Sequence, residues 1–148
     1  MISPGSIIEF IDGGKFVCGF VTGVAEKKVQ LVSQNGREMY LAASRILSVS
    51  RQPIPQPASR EALTGLLQQC GAKRAALAET IDLAELWEII NQDADQELPP
   101  DLLADLLFGS ISSDDQRAAF LRAVFADPLF FKFKNGLIAT HSPEQVEQ

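Results

Sequence analysis

Apolar and polar residues alternate with a period of two through the first fifty positions. After residue 59 the apolar residues recur at three- and four-residue steps instead. Alternation marks half-buried strands, and the longer step marks amphipathic helices. The strand-like stretches are "SIIEFID", "KFVCGFVTGV", "KKVQLVS", "REMYL" and the end of "AASRILSV". Gly13-Gly14 separates the first two, and Asn35-Gly36 separates the third and fourth as a hairpin signal. Gly19 and Gly23 inside the long second stretch predict bends or bulges. Five short strands in so few residues predict an SH3-like β-barrel over residues 1–51. Its expected core is Ile8, Phe10, Val17, Val21, Val29, Leu31, Leu41 and Ile46.

"RQPIPQPAS" then sets prolines at alternate positions. Proline fixes φ and removes a donor, so residues 52–58 predict an extended, semi-rigid linker. Ser59 is placed to cap a helix carrying Leu63, Leu67, Cys70, Leu77 and Ile81 on one stripe, and Gly71 is a point where that helix could split. Asp82 caps "LAELWEIIN", with Leu83, Leu86, Trp87 and Ile90 on its apolar side and Trp87 expected in the core. "QDADQE" reads as a solvated loop. Pro99 or Pro100 opens "PDLLADLLF" and Gly109 ends it. Ser112 or Ser113 caps "DDQRAAFLRAVFA", whose exposed face is expected to hold Asp115, Gln116, Ala119 and Arg122. "LFFKFKNGLIATH" is a hairpin turning at Asn135-Gly136. Helices followed by a hairpin predict a winged-helix-like domain over residues 59–148. Ser142, Pro143 and Gln145 spell one more helix start, expected to lead into a further domain. The fold class is α+β in two small domains.

Charge changes the picture more than composition does. Residues 1–51 hold six Lys or Arg and four Asp or Glu, net +2, whereas residues 52–128 hold five and thirteen, net −8. A polyanion would be drawn to the first segment and repelled by the second. No apolar run reaches the length of a membrane span, and the N-terminus has neither the basic region nor the long apolar stretch of a secretory signal. Cys18 and Cys70, far apart in unlike contexts, fit reduced thiols in a cytoplasmic protein.

Candidate chemistry is binding rather than catalysis. Gly13-Gly14 joins two strands and so does not make a phosphate loop. His141 stands alone beside a hairpin end, a position for packing rather than for a catalytic triad. Asp93, Asp95 and Glu97 lack the spacing of a calcium loop, so neither a catalytic nor a metal site is assigned. The RNA-binding candidates are Lys27, Lys28, Arg37 and Arg45 with Tyr40 as a stacking face, and Lys132 and Lys134 opposite Phe131 and Phe133 on the terminal hairpin. Arg51 and Phe16 could join them. Asp114 and Asp115 sit where a major-groove reader wants cations or amides, which argues against duplex reading.

The stretch "GSIIEFIDGGKFVCGFV…KKVQLVSQNGREMYLAASRILSVS" resembles the opening of bacterial ribonuclease II-family (RNB-type) exoribonucleases. "IDLAELWEIIN", "LPPDLLADLLFG" and "FLRAVFADPLFFKFKNGLIATHSPEQVEQ" resemble the stretch that comes next in such proteins. The resemblance covers the whole chain. It implies a parent protein that hydrolyses RNA from its 3′ end with magnesium held by carboxylates in a much larger catalytic domain. Nothing here matches that domain's aspartate motif, so no catalytic or metal residue carries over. The implied role is a non-catalytic N-terminal region that helps bind or position RNA, with RNA and the catalytic domain as partners and no membrane. Family members commonly carry cold-shock domains ahead of the catalytic domain, and the aromatic-basic strands of that module are missing here. A docking module without RNA contact and a winged-helix regulator are the alternatives.

Overall fold

The computed structural model describes residues 2–51, 53–90, 97–127, 129–134 and 136–141, so Asp93, Asp95, Asn135 and the helix start at Ser142 lie outside the described residues. The protein is α+β: a five-stranded antiparallel sheet, four helices and a small three-stranded sheet. Its chain divides into two compact units, Met1–Lys73 and Arg74–Gln148.

In the first unit, β1 (Ile7–Asp12), β2 (Lys15–Val24), β3 (Lys28–Ser33) and β4 (Glu38–Ala42) follow the expected boundaries closely. One 3₁₀ turn, Ala43–Arg45, leads to β5 (Ser48–Val49). The strand order is β4-β3-β2-β1-β5, with β4 and β5 as separate edges. The expected closed barrel is therefore an open sheet. A strand of two residues, already paired to β1 through Ile8 and Glu9, is too short to join β4 as well.

One face of the sheet buries Ile8, Phe10, Val21, Val29, Leu31 and Leu41 together, with Val17 and Ile46 partly buried against them. All eight positions chosen from the alternation lie in this cluster. Gly23 marks a bulge where the β2–β3 register shifts after Val21. Gly19 has a different role: a Cβ there would lie 2.9 Å from Leu31 Cδ1, so the missing side chain makes room for a core leucine.

The other face is the one that alternation leaves to solvent, yet Cys18, Phe20 and Val32 are buried on it. They are covered by Leu63 and Leu67 of α1 (Arg60–Glu79), with Ile7, Ile54 and Cys70 packed around them. Glu9 is completely buried as well, and the Cys18 thiol donates to its Oε2 at 3.3 Å. Ser59 caps α1 as expected, accepting from the Ala62 N–H at 3.1 Å. Gly71 does not split it: the helix runs unbroken for 20 residues. The proline stretch packs instead of spanning a gap. The Ile54 N–H donates to the Gly5 carbonyl at 2.9 Å, and Ile54 joins the buried cluster. The compact units divide inside α1, after Lys73.

The second unit holds the end of α1, then α2 (Leu83–Ile89), β6 (Glu97–Leu98), α3 (Pro100–Phe108), α4 (Asp114–Ala126), β7 (Phe131–Lys134) and β8 (Leu137–Thr140). Asp82 accepts from the Glu85 N–H, and Ser113 and Gln116 form a reciprocal capping box. Gly109 ends α3 at φ 77°, a left-handed conformation that glycine adopts without strain. Glu97 is not in a loop: it pairs with Ala139, so β6 adds a third strand to the hairpin in the order β6-β8-β7.

Helix α4 departs most from expectation. Ala119, placed on the exposed face from the pattern, is fully buried, as are Ala118 and Phe120. Small residues let neighbours approach both sides of this helix, and its polar side is tied down as well. Arg74, 2% exposed, donates from Nε to Asp115 at 2.9 Å. Arg117 donates to the Ser112 carbonyl at 2.8 Å and pairs with Asp114. Trp87 is half-buried rather than fully enclosed. Its ring meets Phe130 at 5.4 Å, and its Nε1–H donates to the His141 carbonyl at 2.8 Å. His141 serves packing as expected, with Nδ1 2.7 Å from the Leu129 carbonyl.

Two stability measurements check these contacts. Gly5 sits at φ 96°, and a Cβ would fall 2.6 Å from the Ile54 carbonyl oxygen and 2.9 Å from Pro53 Cβ. Gly5→Ala is expected to destabilise the chain by about 2–4 kcal/mol in urea melts, from backbone strain plus the displaced proline segment. Trp87→Phe, which keeps the ring contact but strips the donor, is expected to cost about 1–2 kcal/mol by the same measurement.

Candidate nucleic-acid interface

Helix α1 covers only part of the second sheet face. Beyond its reach the face continues across Thr22 of β2, Lys28 and Gln30 of β3, and Glu38, Tyr40 and Ala42 of β4, all exposed. These side chains share a face because they alternate with Val29, Leu31, Met39 and Leu41, which point into the core. The β3–β4 register puts Gln30 opposite Tyr40 and Lys28 opposite Ala42. Lys28 and Tyr40 are thus diagonal neighbours, and the Lys28 ammonium lies 5.0 Å from the centre of the Tyr40 ring. Such a contact at an exposed site is worth about 0.5–1 kcal/mol, enough to bias the ring's orientation. Tyr40 remains 64% exposed, an unusual state for an aromatic on a sheet.

Beside this platform runs a groove of about 320 Å³ lined by Thr22, Gln30, Val32, Glu38, Pro57 and Arg60, among others. Its walls are fixed by short-range bonds. Thr22 Oγ1 donates to the Gln30 carbonyl at 3.2 Å, and Arg60 donates to the Gly36 carbonyl at 3.1 Å and to Glu38 Oε1 at 3.0 Å. Half of the Arg60 side chain stays exposed, so that ion pair adds little stability, about 0–1 kcal/mol, and more to the guanidinium's position.

The seven candidates do not form one site. Lys27 lies in the turn before β3, where its carbonyl accepts from the Ala43 N–H at 3.0 Å, so Lys27, Lys28 and Tyr40 share one end of the β3–β4 hairpin. Arg37 is in the turn at the other end, its carbonyl accepting from the Ser33 N–H at 2.9 Å. Five strand residues separate those ends, roughly 17 Å. Arg45 donates from Nη2 to the Ile11 carbonyl at 2.9 Å, which holds it near the Gly13-Gly14 turn and the half-buried Phe16 paired with Ile11. Arg51 is exposed just past β5. Lys132 and Lys134 belong to the second unit, exposed on β7 while Phe131 is buried and Phe133 packs 5.5 Å from Phe125.

Gln30, Thr22 and Arg60 are not among the sequence candidates. The first two were accessible in principle: period two places Gln30 and Lys28 on one face, and the hairpin brings Tyr40 beside them. Arg60 was not, because only the folded path of residues 53–59 returns the helix start to β4. Counted by compact unit, residues 1–73 carry eight Lys or Arg against five Asp or Glu, net +3, and residues 74–148 carry five against fourteen, net −9. The open sheet face thus lies on the cationic unit.

No group of three or more His, Cys, Asp or Glu converges as a metal site among the described residues. Among the same residues no helix is long and apolar enough to cross a membrane. Comparison with known proteins finds no matching family model, no matching curated protein and no matching solved structure.

Proposed function

We propose that the chain is a non-catalytic RNA-positioning region that holds a single strand on the open face of β3 and β4. The observation that carries this reading is the exposed Tyr40 ring with the Lys28 ammonium beside it on a net-cationic unit. A base stacks on the aromatic face, an interaction available to any nucleobase and worth about 1–3 kcal/mol. Lys27 and Lys28 offer two cations to the neighbouring phosphates. The polar groove at Gln30, Thr22 and Arg60 gives the strand a continuation along the sheet.

In this reading the first unit is an SH3-like fold whose sheet stays open, and residues 59–148 are the winged-helix-like domain. The whole is the accessory N-terminal part of a ribonuclease II-like 3′-to-5′ exoribonuclease, supported by the motif resemblance along the chain. Hydrolysis and magnesium belong to the catalytic domain of that parent, and the chemistry assigned to this chain is binding alone. A winged-helix regulator is less well supported. Helix α4, its would-be recognition helix, has Ala118, Ala119, Phe120 and Leu121 buried and two acids in its first turn.

Titration of a fluorescent single-stranded RNA at low salt tests the proposal. Binding with Kd on the order of 10–100 µM is expected for so few phosphate contacts. Tyr40→Ala should weaken it by about 1–3 kcal/mol. Lys27→Ala/Lys28→Ala should lower the slope of log K against log salt by about 1.4, about 0.7 for each phosphate no longer neutralised. Lys132→Ala/Lys134→Ala should leave the affinity within about twofold, because these cations sit on the net-acidic unit. Undetectable binding near 0.1 mM protein, or equal affinity for duplex RNA, would remove the RNA-positioning role.

A further inference from the structure

The sequence between Arg74 and Arg117 is extreme in charge: residues 75–116 contain eleven Asp or Glu and neither Lys nor Arg. Helix α3 lies within it. Its inner side is buried at Leu103 and Ala104, but Leu102 and Leu106, one turn apart, are 46% and 47% exposed, and Ile111 just beyond the helix is 79% exposed. Ile111 does not swing free. The next residue, Ser112, donates from its N–H and its hydroxyl to Asp105 Oδ1 at 2.8 and 2.6 Å, which holds the segment after Gly109 against the last turns of α3. Three large apolar side chains are thus displayed along one short stretch, where isolated exposed apolar residues would be unremarkable and a row of them marks an interface.

We infer that this α3 surface, with Leu102, Leu106 and Ile111 as its apolar row, docks an amphipathic helix of a protein partner that carries Lys and Arg along its flanks. Apolar residues spaced one turn apart are the anchors that a partner helix engages at matching spacing. The charge around the row selects the partner. The Asp101 carboxylate, with 66% of its side chain exposed, sits at the start of α3 and pairs with Arg117 Nε at 3.4 Å; because the same arginine also pairs with Asp114, two carboxylates share one guanidinium and the group keeps a net negative charge. The start of the row is therefore edged by net negative charge, and the one arginine that meets it is 8% exposed. A second copy of the same acidic surface would meet like charge, and RNA would be repelled, whereas a cationic helix gains on both counts. The inference is independent of RNA binding by the sheet of the first unit.

The test uses the full chain and a labelled synthetic helix of about 18 residues, with Leu at three- and four-residue spacing and Lys on the flanks. Saturable binding is expected, weakening with salt, with amide shift changes confined to residues 101–112. Leu102→Gln/Leu106→Gln/Ile111→Gln should weaken it by at least about tenfold while circular dichroism shows the variant still folded at the temperature of the titration, since Leu102 and Leu106 are about half exposed and Ile111 mostly so. A peptide of the same composition in scrambled order should bind at least about tenfold more weakly. Equal binding of the scrambled peptide, unchanged affinity of the triple variant, or shift changes elsewhere would overturn the inference. So would a wild-type dimer that the triple variant dissociates, because the row would then be occupied by a second copy.

Discussion

A sheet in which both faces carry large apolar residues cannot bury them by curling alone, and the first unit is organised around that constraint. Ile8, Phe10, Val21, Val29, Leu31 and Leu41 close on one another on one side. Cys18, Phe20 and Val32 on the other side need an external cover, and Leu63 and Leu67 of α1 supply it. The proline segment has to bring that helix back across the sheet, which is why Ile54 is bonded to Gly5 and buried instead of being held out in solvent. Because the helix covers Cys18, Phe20 and Val32 only, the β3–β4 end of the same face remains open. The candidate interface is the part of the sheet that this packing leaves uncovered.

The two units divide electrostatic labour sharply. Net +3 on residues 1–73 and net −9 on residues 74–148 give them opposite preferences for polyanions. Exposed aromatic and cationic groups on the first suit a nucleic-acid strand. Exposed leucines amid carboxylates on the second suit a basic protein segment. The same residue class has opposite meanings in the two places: Lys28 orients a ring at the surface, whereas Arg74 and Arg117 are enclosed and pair with acids of α4.

Local rules made much of the secondary structure legible. Asn35-Gly36, Gly109, Asp82 and the Ser113–Gln116 pair act through their own backbone neighbourhood, so their effect can be read without the rest of the chain. The inward set of the sheet was legible for the same reason. What alternation could not convey was the second cover. It classes Glu9 as solvent-facing, yet the folded chain encloses this carboxylate beside Cys18. Ala119 failed similarly, since alanine satisfies either side of a helix and its burial depends on neighbours distant in sequence. Barrel closure was a matter of strand count in the sequence but of strand length in the fold, and β5 is too short. Of the candidate cations and aromatics, Lys27, Lys28 and Tyr40 come together, because hairpin register is set locally. Arg37 and Arg45 are held apart from them by the lengths of the strands between.

The bond between Gly5 and Ile54 has a consequence for the order in which the chain can fold during synthesis. Strand β1 leaves the ribosome before the other strands of its sheet, yet its outer neighbour β5 is made about forty residues later and the Gly5 partner about fifty. The helix that covers Cys18, Phe20 and Val32 comes later still. Contacts so distant in sequence close slowly compared with a local hairpin. The β2–β3–β4 meander, joined by short turns, can therefore assemble while β1 still has one bare edge and an ionisable residue facing water. Until Ser48 and Val49 are available, that edge is a place where a nascent chain of this protein is open to pairing with the wrong strand.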